Sequence, residues 1–204
     1  MLILLKKTKI NYLFMNYFSA FVAFSASLIL LTSCNSSSDL KKDFTCKNDA
    51  FYQENTLKEQ QDFRKYFTTS FPENWKVNLY YDTKKTSIYA ADTTVNLTKT
   101  TLIDVTLVHN TVYIDQTFAQ KITADNKKMG LTELKTKHLQ LFKKPSYYSY
   151  AQGKKGKHSY HILNTFTKIN TDNFLHVKTE VYGDSLVTER FCKAIELIEK
   201  INLN

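Results

Sequence analysis

Few side chains in this sequence could do covalent or acid–base chemistry, and its cysteines and histidines are the first to weigh. Two of the three cysteines, Cys46 and Cys192, are far apart in the chain and allow a single bridge. In an oxidising compartment they either pair, pinning the N-terminal segment to the last helix, or stay as two buried free thiols. Cys192 follows Phe191 within a predicted helix, an apolar setting in which a thiol is inert. The five histidines are His109, His138, His158, His161 and His176. His158 and His161 are three apart on a predicted strand and so point to opposite faces, unless the strand starts late and leaves His158 in the turn. No cysteine or carboxylate completes a ligand set around them, so neither a metal nor a cofactor is expected. Asp104 lies among Ile103, Val105 and Leu107, and strand alternation turns it to solvent. There is no Gly-x-Ser-x-Gly elbow, and four glycines are too few for phosphate-cradling loops. No catalytic residue is assigned.

The third cysteine, Cys34, sits at the end of a leader. The first 33 residues contain Lys6, Lys7 and Lys9 and no acid, followed by apolar residues from Tyr17 to Leu31. A positive start and an apolar run make the layout of a secretory signal. The alternative is an uncleaved transmembrane helix, since the stretch is long enough to span a bilayer. The run ends in Leu31-Thr32-Ser33-Cys34, which resembles the lipobox of bacterial lipoproteins: an aliphatic residue, two small residues that fit a narrow peptidase site, and a cysteine whose thiol takes the lipid. The resemblance implies cleavage between Ser33 and Cys34, diacylglycerol on the Cys34 sulfur, and palmitate-type acyl chains that hold the chain to a membrane. Asn35-Ser36-Ser37-Ser38 then reads as a tether. By resemblance to lipoprotein sorting rules, Asn35 in place of an acid favours the outer membrane over the inner, and the lack of an acidic run favours its periplasmic face.

The expected organisation is therefore a signal peptide over 1–33, a lipidated cysteine with tether and lead-in over 34–61, and one domain over 62–204. A composition 43% hydrophobic and 14% aromatic supports a real core. Of 28 basic and 19 acidic residues, net +9, three lysines belong to the leader, leaving +6. The excess lies in short clusters: Lys84-Lys85, Lys127-Lys128, Lys143-Lys144, and Lys154-Lys155 with Lys157. These are solvated loop lysines or contacts to anionic head groups near the anchor. Nucleic acid is not an expected partner of an exported, tethered chain.

The elements follow from periodicity. Residues 48–61 are polar and read as one loosely packed helix. Arg64 to Phe71 is a strand closed by the Pro72-Glu73-Asn74 turn, and Trp75, Val77, Leu79 and Tyr81 alternate along the next. Thr86 to Ala91 and Leu102 to Val108 are further strands. A helix capped by Asp115 puts Phe118, Ile122 and Met129 on one face, beside Ala119, and stops at Gly130. Leu134 to Phe142 is a strand ended by Pro145. Tyr147 to Gln152 and His158 to Ile169 flank a Gly153–Lys157 connection, and Phe174 to Tyr182 is the last strand. A final helix carries the stripe Val187, Phe191, Ala194, Ile195, Ile198 and Ile201, which a sheet face must cover. This order predicts an α+β domain with an antiparallel sheet flanked by helices.

The segment Phe67-Thr68-Thr69-Ser70-Phe71-Pro72-Glu73-Asn74-Trp75 resembles the opening of the PsbP-like domains, which are built as a strand, a proline turn and a tryptophan strand. Ile88-Tyr89-Ala90-Ala91-Asp92, the central helix, the Tyr-rich hairpin and the closing helix from Phe191 to Ile201 extend the likeness over residues 63 to 201. The resemblance implies an α/β/α sandwich and a role in binding or assembly rather than catalysis, with no functional residue to carry over. The expected function is a membrane-anchored, non-catalytic binding or assembly module of the cell envelope, whose partner is a protein or envelope component. The alternative is an exported hydrolase-like enzyme. Tyr147, Tyr148, Tyr150 and Tyr160, with Lys154, Lys155 and Lys157, are the expected partner surface, since tyrosine is enriched in protein contacts.

Overall fold

The computed structural model describes residues 38–47 and 50–204. The leader, the Ser33–Cys34 junction and Cys34 lie outside the described residues. The middle layer is an antiparallel sheet of seven strands. Across it, in order, run β3 (Lys76–Tyr81), β4 (Lys85–Ala91), β5 (Thr101–His109), β9 (Asn173–Tyr182), β8 (His158–Lys168), β7 (Lys144–Lys155) and β6 (Thr132–Leu141). A second sheet has the order β1 (Leu57–Gln61), β2 (Phe67–Pro72), β10 (Asn202–Leu203). The helices are α1 (Asp39–Asp43), α2 (Gln116–Lys128) and α3 (Val187–Glu199).

Strand alternation decides what each face of the large sheet meets. Ile103, Val105 and Leu107 of β5, with Leu175 and Val177 of β9, pack against Phe67 and Phe71 of β2 and against Ala194, Leu197 and Ile198 of α3. On the opposite face α2 lays Ala119, Phe118 and Ile122 on Tyr147 of β7 and Phe166 of β8. Asp115 caps α2, its carboxylate accepting from the Phe118 N–H at 2.9 Å. The layers are thus the α/β/α order expected. The small sheet is an addition that the sequence pattern did not announce.

Several boundaries need correction. Residues 50–61, the described part of the segment expected as a helix over 48–61, are not a helix: Glu54–Thr56 makes a 3-10 turn and β1 pairs with β2. β1 has a partner on one side only, so its polarity is that of an edge strand. Pro145 does not end β6. It sits at the start of β7, opposite Gln140, before pairing with β8 begins at Ser146, a position where a missing N–H is tolerated. The β6–β7 turn is instead Phe142-Lys143, both at positive φ (53° and 58°), the backbone of a type I′ hairpin. Gly153, Lys154 and Lys155 belong to β7, and the connection shrinks to Gly156-Lys157. Met129 caps α2 outside its apolar face and is exposed.

The largest correction concerns residues 38–47 and 50–61, the described part of the 34–61 expected as tether and lead-in. They fold as part of the domain. Leu40 of α1 is fully buried and Phe44 packs on Tyr148, Tyr150 and Phe191. Glu199 at the end of α3 takes the Ser38 hydroxyl and the Lys41 ammonium. Glu196 accepts the Phe51 and Tyr52 backbone N–H groups at 2.7 and 3.3 Å. Between these contacts Cys46 is bonded to Cys192 across 146 residues.

That bridge generates a prediction. Closing so long a loop restricts the unfolded chain by roughly 5 kcal/mol on the chain-entropy model. The double variant Cys46→Ser/Cys192→Ser should lose several kcal/mol in denaturant titrations, and wild type under strong reductant should match it. Unchanged midpoints would show that packing of the lead-in holds it without the bridge.

Candidate functional site

α2 covers only the β6–β7 side of its face. The other half of that face, across β4, β5 and β9, carries Tyr89, Asp104 and Lys178 in register and has no covering helix among the described residues. Where the helix stops, the surface falls into an open-sided groove of about 550 Å³. Ile162 and Asn164 of β8 and His176, Lys178 and Glu180 of β9 form its floor. Met129 and Leu131, just past α2, wall it on the β7 side, and Tyr160, Lys154 and Lys155 close its end. Gly153 makes the wall possible. A Cβ there would meet Leu131 Cδ2 at 2.7 Å and Gly130 O at 3.0 Å, so any side chain would push Leu131 off the strand.

The lining is cationic. Three ammoniums, Lys154, Lys155 and Lys178, face the single carboxylate of Glu180. Lys178 Nζ is 3.0 Å from Glu180 Oε1 and Lys155 Nζ 3.8 Å from Oε2, while the Tyr182 hydroxyl donates to Oε2 at 3.3 Å. Burial alone would raise the Glu180 carboxyl, but Lys178, the Tyr160 hydroxyl and Lys155 outweigh it and hold it below its ordinary range. Lys155 also lies over the rings of Tyr160 and Tyr182, 5.2 and 5.5 Å from their centroids, a cation–π arrangement. A hydrogen bond with Tyr182, then the charge of Glu180, keep its ammonium protonated more firmly than a free lysine. Burial pushes the Tyr160 hydroxyl well above its usual value.

His176 supplies a neutral floor. Its ring stacks on Phe166 at 4.4 Å and 13°, and Nε2, protonated in the neutral ring, donates to Asn164 Oδ1 at 2.9 Å. Burial, then the Lys178 charge, take its pKa down to about 4. Chemically the groove suits a ligand with an apolar part, set against Met129, Leu131 and Ile162, and an acidic group near the lysines.

A second cluster lies at the start of β8. The Ser159 hydroxyl donates to Asp184 Oδ2 at 2.7 Å, His161 Nε2 lies 3.2 Å from Asp184 Oδ1, and the Tyr150 hydroxyl is 3.3 Å from His161 Nδ1. The residue types are those of a nucleophilic triad, but the order is wrong. The carboxylate sits between serine and histidine, so no imidazole faces the hydroxyl.

The expected partner surface is only partly assembled. β7 alternation sends Tyr148 and Tyr150 toward α1 and α3, and Tyr147 toward α2. Tyr147 and Tyr148 are core residues, 2% and 0% exposed, and Tyr160 is also buried. Tyr147 and Tyr148 therefore build layers, and Tyr160 shows only its edge, at the end of the groove. Lys157 is exposed in the β7–β8 turn, outside the groove lining. Lys154, Lys155 and Tyr160 do converge, but on Lys178 and Glu180. The alternation of His176, Lys178 and Glu180 opposite Leu175, Val177, Thr179 and Val181 was the available signal for that face. Nothing local to β9 showed that no helix would cover it.

No family model matches the sequence, and no curated protein does. Solved structures share the fold. The chain is similar to the cyanobacterial PsbP, CyanoP, from Synechocystis, with a TM-score of 0.54 at 9% identity over 78% of this chain and 98% of that one. It is also similar to the Ran-binding protein Mog1p of Saccharomyces cerevisiae, with a TM-score of 0.50 at 13% identity over 72% of this chain and 95% of that one. The domain therefore has the α+β fold shared by PsbP and Mog1, and at these identities the likeness is one of fold alone.

The His176 environment sets a pH dependence. Its folded-state pKa, about 4, lies below the 6.5 of a free imidazole, so the unfolded chain binds the proton first. Stability from this group is present in full above pH 6.5 and is lost as pH falls toward and through 4, on the order of 3 kcal/mol in total. His176→Gln, which can keep a bond to Asn164, should flatten that part of the stability–pH curve. An unchanged slope would place the acid-sensitive group elsewhere.

Proposed function

We propose that this protein is a lipid-anchored binding module of the bacterial cell envelope, held at the membrane through Cys34. Its groove receives an acidic, partly apolar segment of another envelope component. The observation that carries this reading is the groove itself: three ammoniums and one carboxylate beside the apolar surface of Met129, Leu131 and Ile162, on a half-sheet that no described helix covers. Its walls are largely preformed, which keeps the ordering cost of binding low. The lipobox-like Leu31-Thr32-Ser33-Cys34 supports the anchor, and Asn35 with no acidic run after it favours the periplasmic face of the outer membrane over the inner membrane. No helix among the described residues is long and apolar enough to cross a membrane. A protein of the same fold, Mog1p, is a Ran-binding protein, so the scaffold is compatible with docking a partner.

Two experiments test the two parts. Cys34→Ala should abolish lipid labelling and cleavage at the Ser33–Cys34 bond, leaving an unprocessed precursor that still carries its apolar leader. Unaltered labelling and processing would remove the anchor. For the groove, a photo-crosslinking residue replacing the exposed Met129 in the full-length protein should give a saturable adduct in intact envelopes. Lys155→Glu, in which the added carboxylate faces Glu180 and any acidic ligand, should abolish that adduct while leaving the fold intact by circular dichroism. An adduct indifferent to Lys155→Glu would dissociate the cationic rim from binding.

A further inference from the structure

One end of the large sheet combines exposed aromatic rings with unpaired cations. Phe63 and Tyr66, from the β1–β2 turn, are 59% and 41% exposed, and Tyr80 and Tyr81, at the end of β3, are 57% and 59% exposed. Phe63 stacks on Tyr81 at 4.6 Å, so the two turns form one surface. Arg64 ties them together, donating to the Asp82 carbonyl at 2.5 Å with its other amino group 3.3 Å from His109 Nε2. Arg64, Lys65, Lys84 and Lys85 belong to no ion pair among the described residues. The two acids nearby are already engaged. Asp62 is buried and accepts from Thr86 and the Phe67 N–H, and Asp82 accepts the N–H groups of Lys84 and Lys85. Asp82 keeps its charge and partly offsets Lys85 and Arg64, so four cations stand against two carboxylates; aromatic rings beside such a positive excess are what a headgroup layer accommodates, the rings at the boundary and the cations on lipid phosphates.

The chain enters the domain at this same end. Ser38 is bonded to Glu199, the last residue of α3. Three residues later β10 begins, pairing with the first two residues of β2, and Asn204 bonds back to the Tyr66 carbonyl at 2.9 Å. Four residue steps separate Cys34 from Ser38, which span at most about 14 Å whatever their conformation. A lipid on Cys34 therefore cannot let the opposite end of the sheet reach the membrane without turning this end toward it first.

We infer that the end of the sheet formed by the 62–66 and 82–84 turns rests on an anionic phospholipid surface, with Phe63, Tyr66, Tyr80 and Tyr81 at headgroup level. The inference rests on lipidation at Cys34 and adds the orientation that the anchor imposes. The Lys154–Lys155 end of the groove lies at the other end of β7 and β8, so the bilayer contact holds the groove's mouth out toward the compartment.

The sole tryptophan, Trp75, makes the test direct. It precedes β3, six residues and roughly 20 Å of strand from Tyr81, and stacks on Phe71. The lipidated full-length protein is reconstituted into vesicles of phosphatidylethanolamine and phosphatidylglycerol carrying brominated acyl chains, which quench tryptophan on contact. In wild type, Trp75 should keep its emission. In Phe63→Trp on a Trp75→Phe background, the new indole should lose most of its emission, and vesicles lacking phosphatidylglycerol should weaken the loss. Quenching of Trp75, or of neither indole, in protein that floats with the vesicles would overturn the orientation. Failure to float at all would instead remove the lipid anchor on which the inference stands.

Discussion

Eight of the thirteen residues of α3 are buried, Arg190 and Glu196 among them, more than one sheet face can cover on a helix. A helix on a sheet hides one stripe, and the stripe of Phe191, Ala194, Ile195 and Ile198 does face the strands. The remaining burial comes from the lead-in, which crosses the outer side of α3 and is fastened to it by Glu199, by the Cys46–Cys192 bridge and by Glu196. Arg190 completes the clamp from inside. Its guanidinium donates to the carbonyls of Thr100, Tyr182, Gly183 and Ser185, stitching the first turn of α3 to the ends of β5 and β9. Four carbonyl partners take up both terminal amino groups, leaving Nε buried without a partner among the described residues, and so exacting a fit makes the arrangement intolerant of any shorter donor. If the lead-in were displaced, half of α3 would be left with polar groups and a thiol pair facing solvent or void, and the core behind it would loosen.

Coverage on the opposite face is incomplete, and the site exists because of that. α2 is short, ends at Lys128 and is followed by Gly130 at positive φ, so the chain turns back into β6 instead of continuing over β8 and β9. The apolar residues that α2 does bury, Tyr147 and Phe166, lie in the half it reaches. Beyond them the same face becomes polar: Asn164, His176, Lys178, Glu180, with Tyr89 and Asp104 farther across. Their composition is what an uncovered face requires. The groove is thus the boundary between a sheet written for a helix and one written for water.

How much of this the sequence revealed follows a physical division. Strongly alternating segments such as Ile103–Leu107 and Leu175–Val181 have one reading, since a shift of one residue would invert every side chain. The stripe of α3 and the Asp115 cap are equally local. The α1 segment, Asp39-Leu40-Lys41-Lys42-Asp43, was illegible because a single buried leucine makes no periodicity; it folds through distant partners, Glu199, Tyr148 and Lys137. β1 was missed for a related reason, because its stabilisation is the backbone ladder with β2, which leaves no mark on side-chain type. The Tyr-rich hairpin misled in the opposite sense. Tyrosine is common both at contact surfaces and in strand cores, and only the three-dimensional placement of α1, α2 and α3 decides that Tyr147 and Tyr148 are core.

Glu180 shapes what the groove can accept. It is tied to Lys178 and lies near Lys155, so two of the three lining cations already have partial compensation, and Lys154 alone is free of it. A purely charged ligand would gain little there, because ion pairs at a half-open surface are screened by salt and weak in water. Apolar contact with Met129, Leu131 and Ile162 must therefore supply most of the affinity, at about 25 cal/mol for each Å² removed from water, while the lysines select sign and orientation. Acidity alone is thus insufficient to specify a ligand for this groove. A ligand needs apolar surface placed so that its acid meets Lys154 as its hydrocarbon covers Met129. That is a geometric demand, which a scaffold braced from behind by α3 and the lead-in can hold fixed.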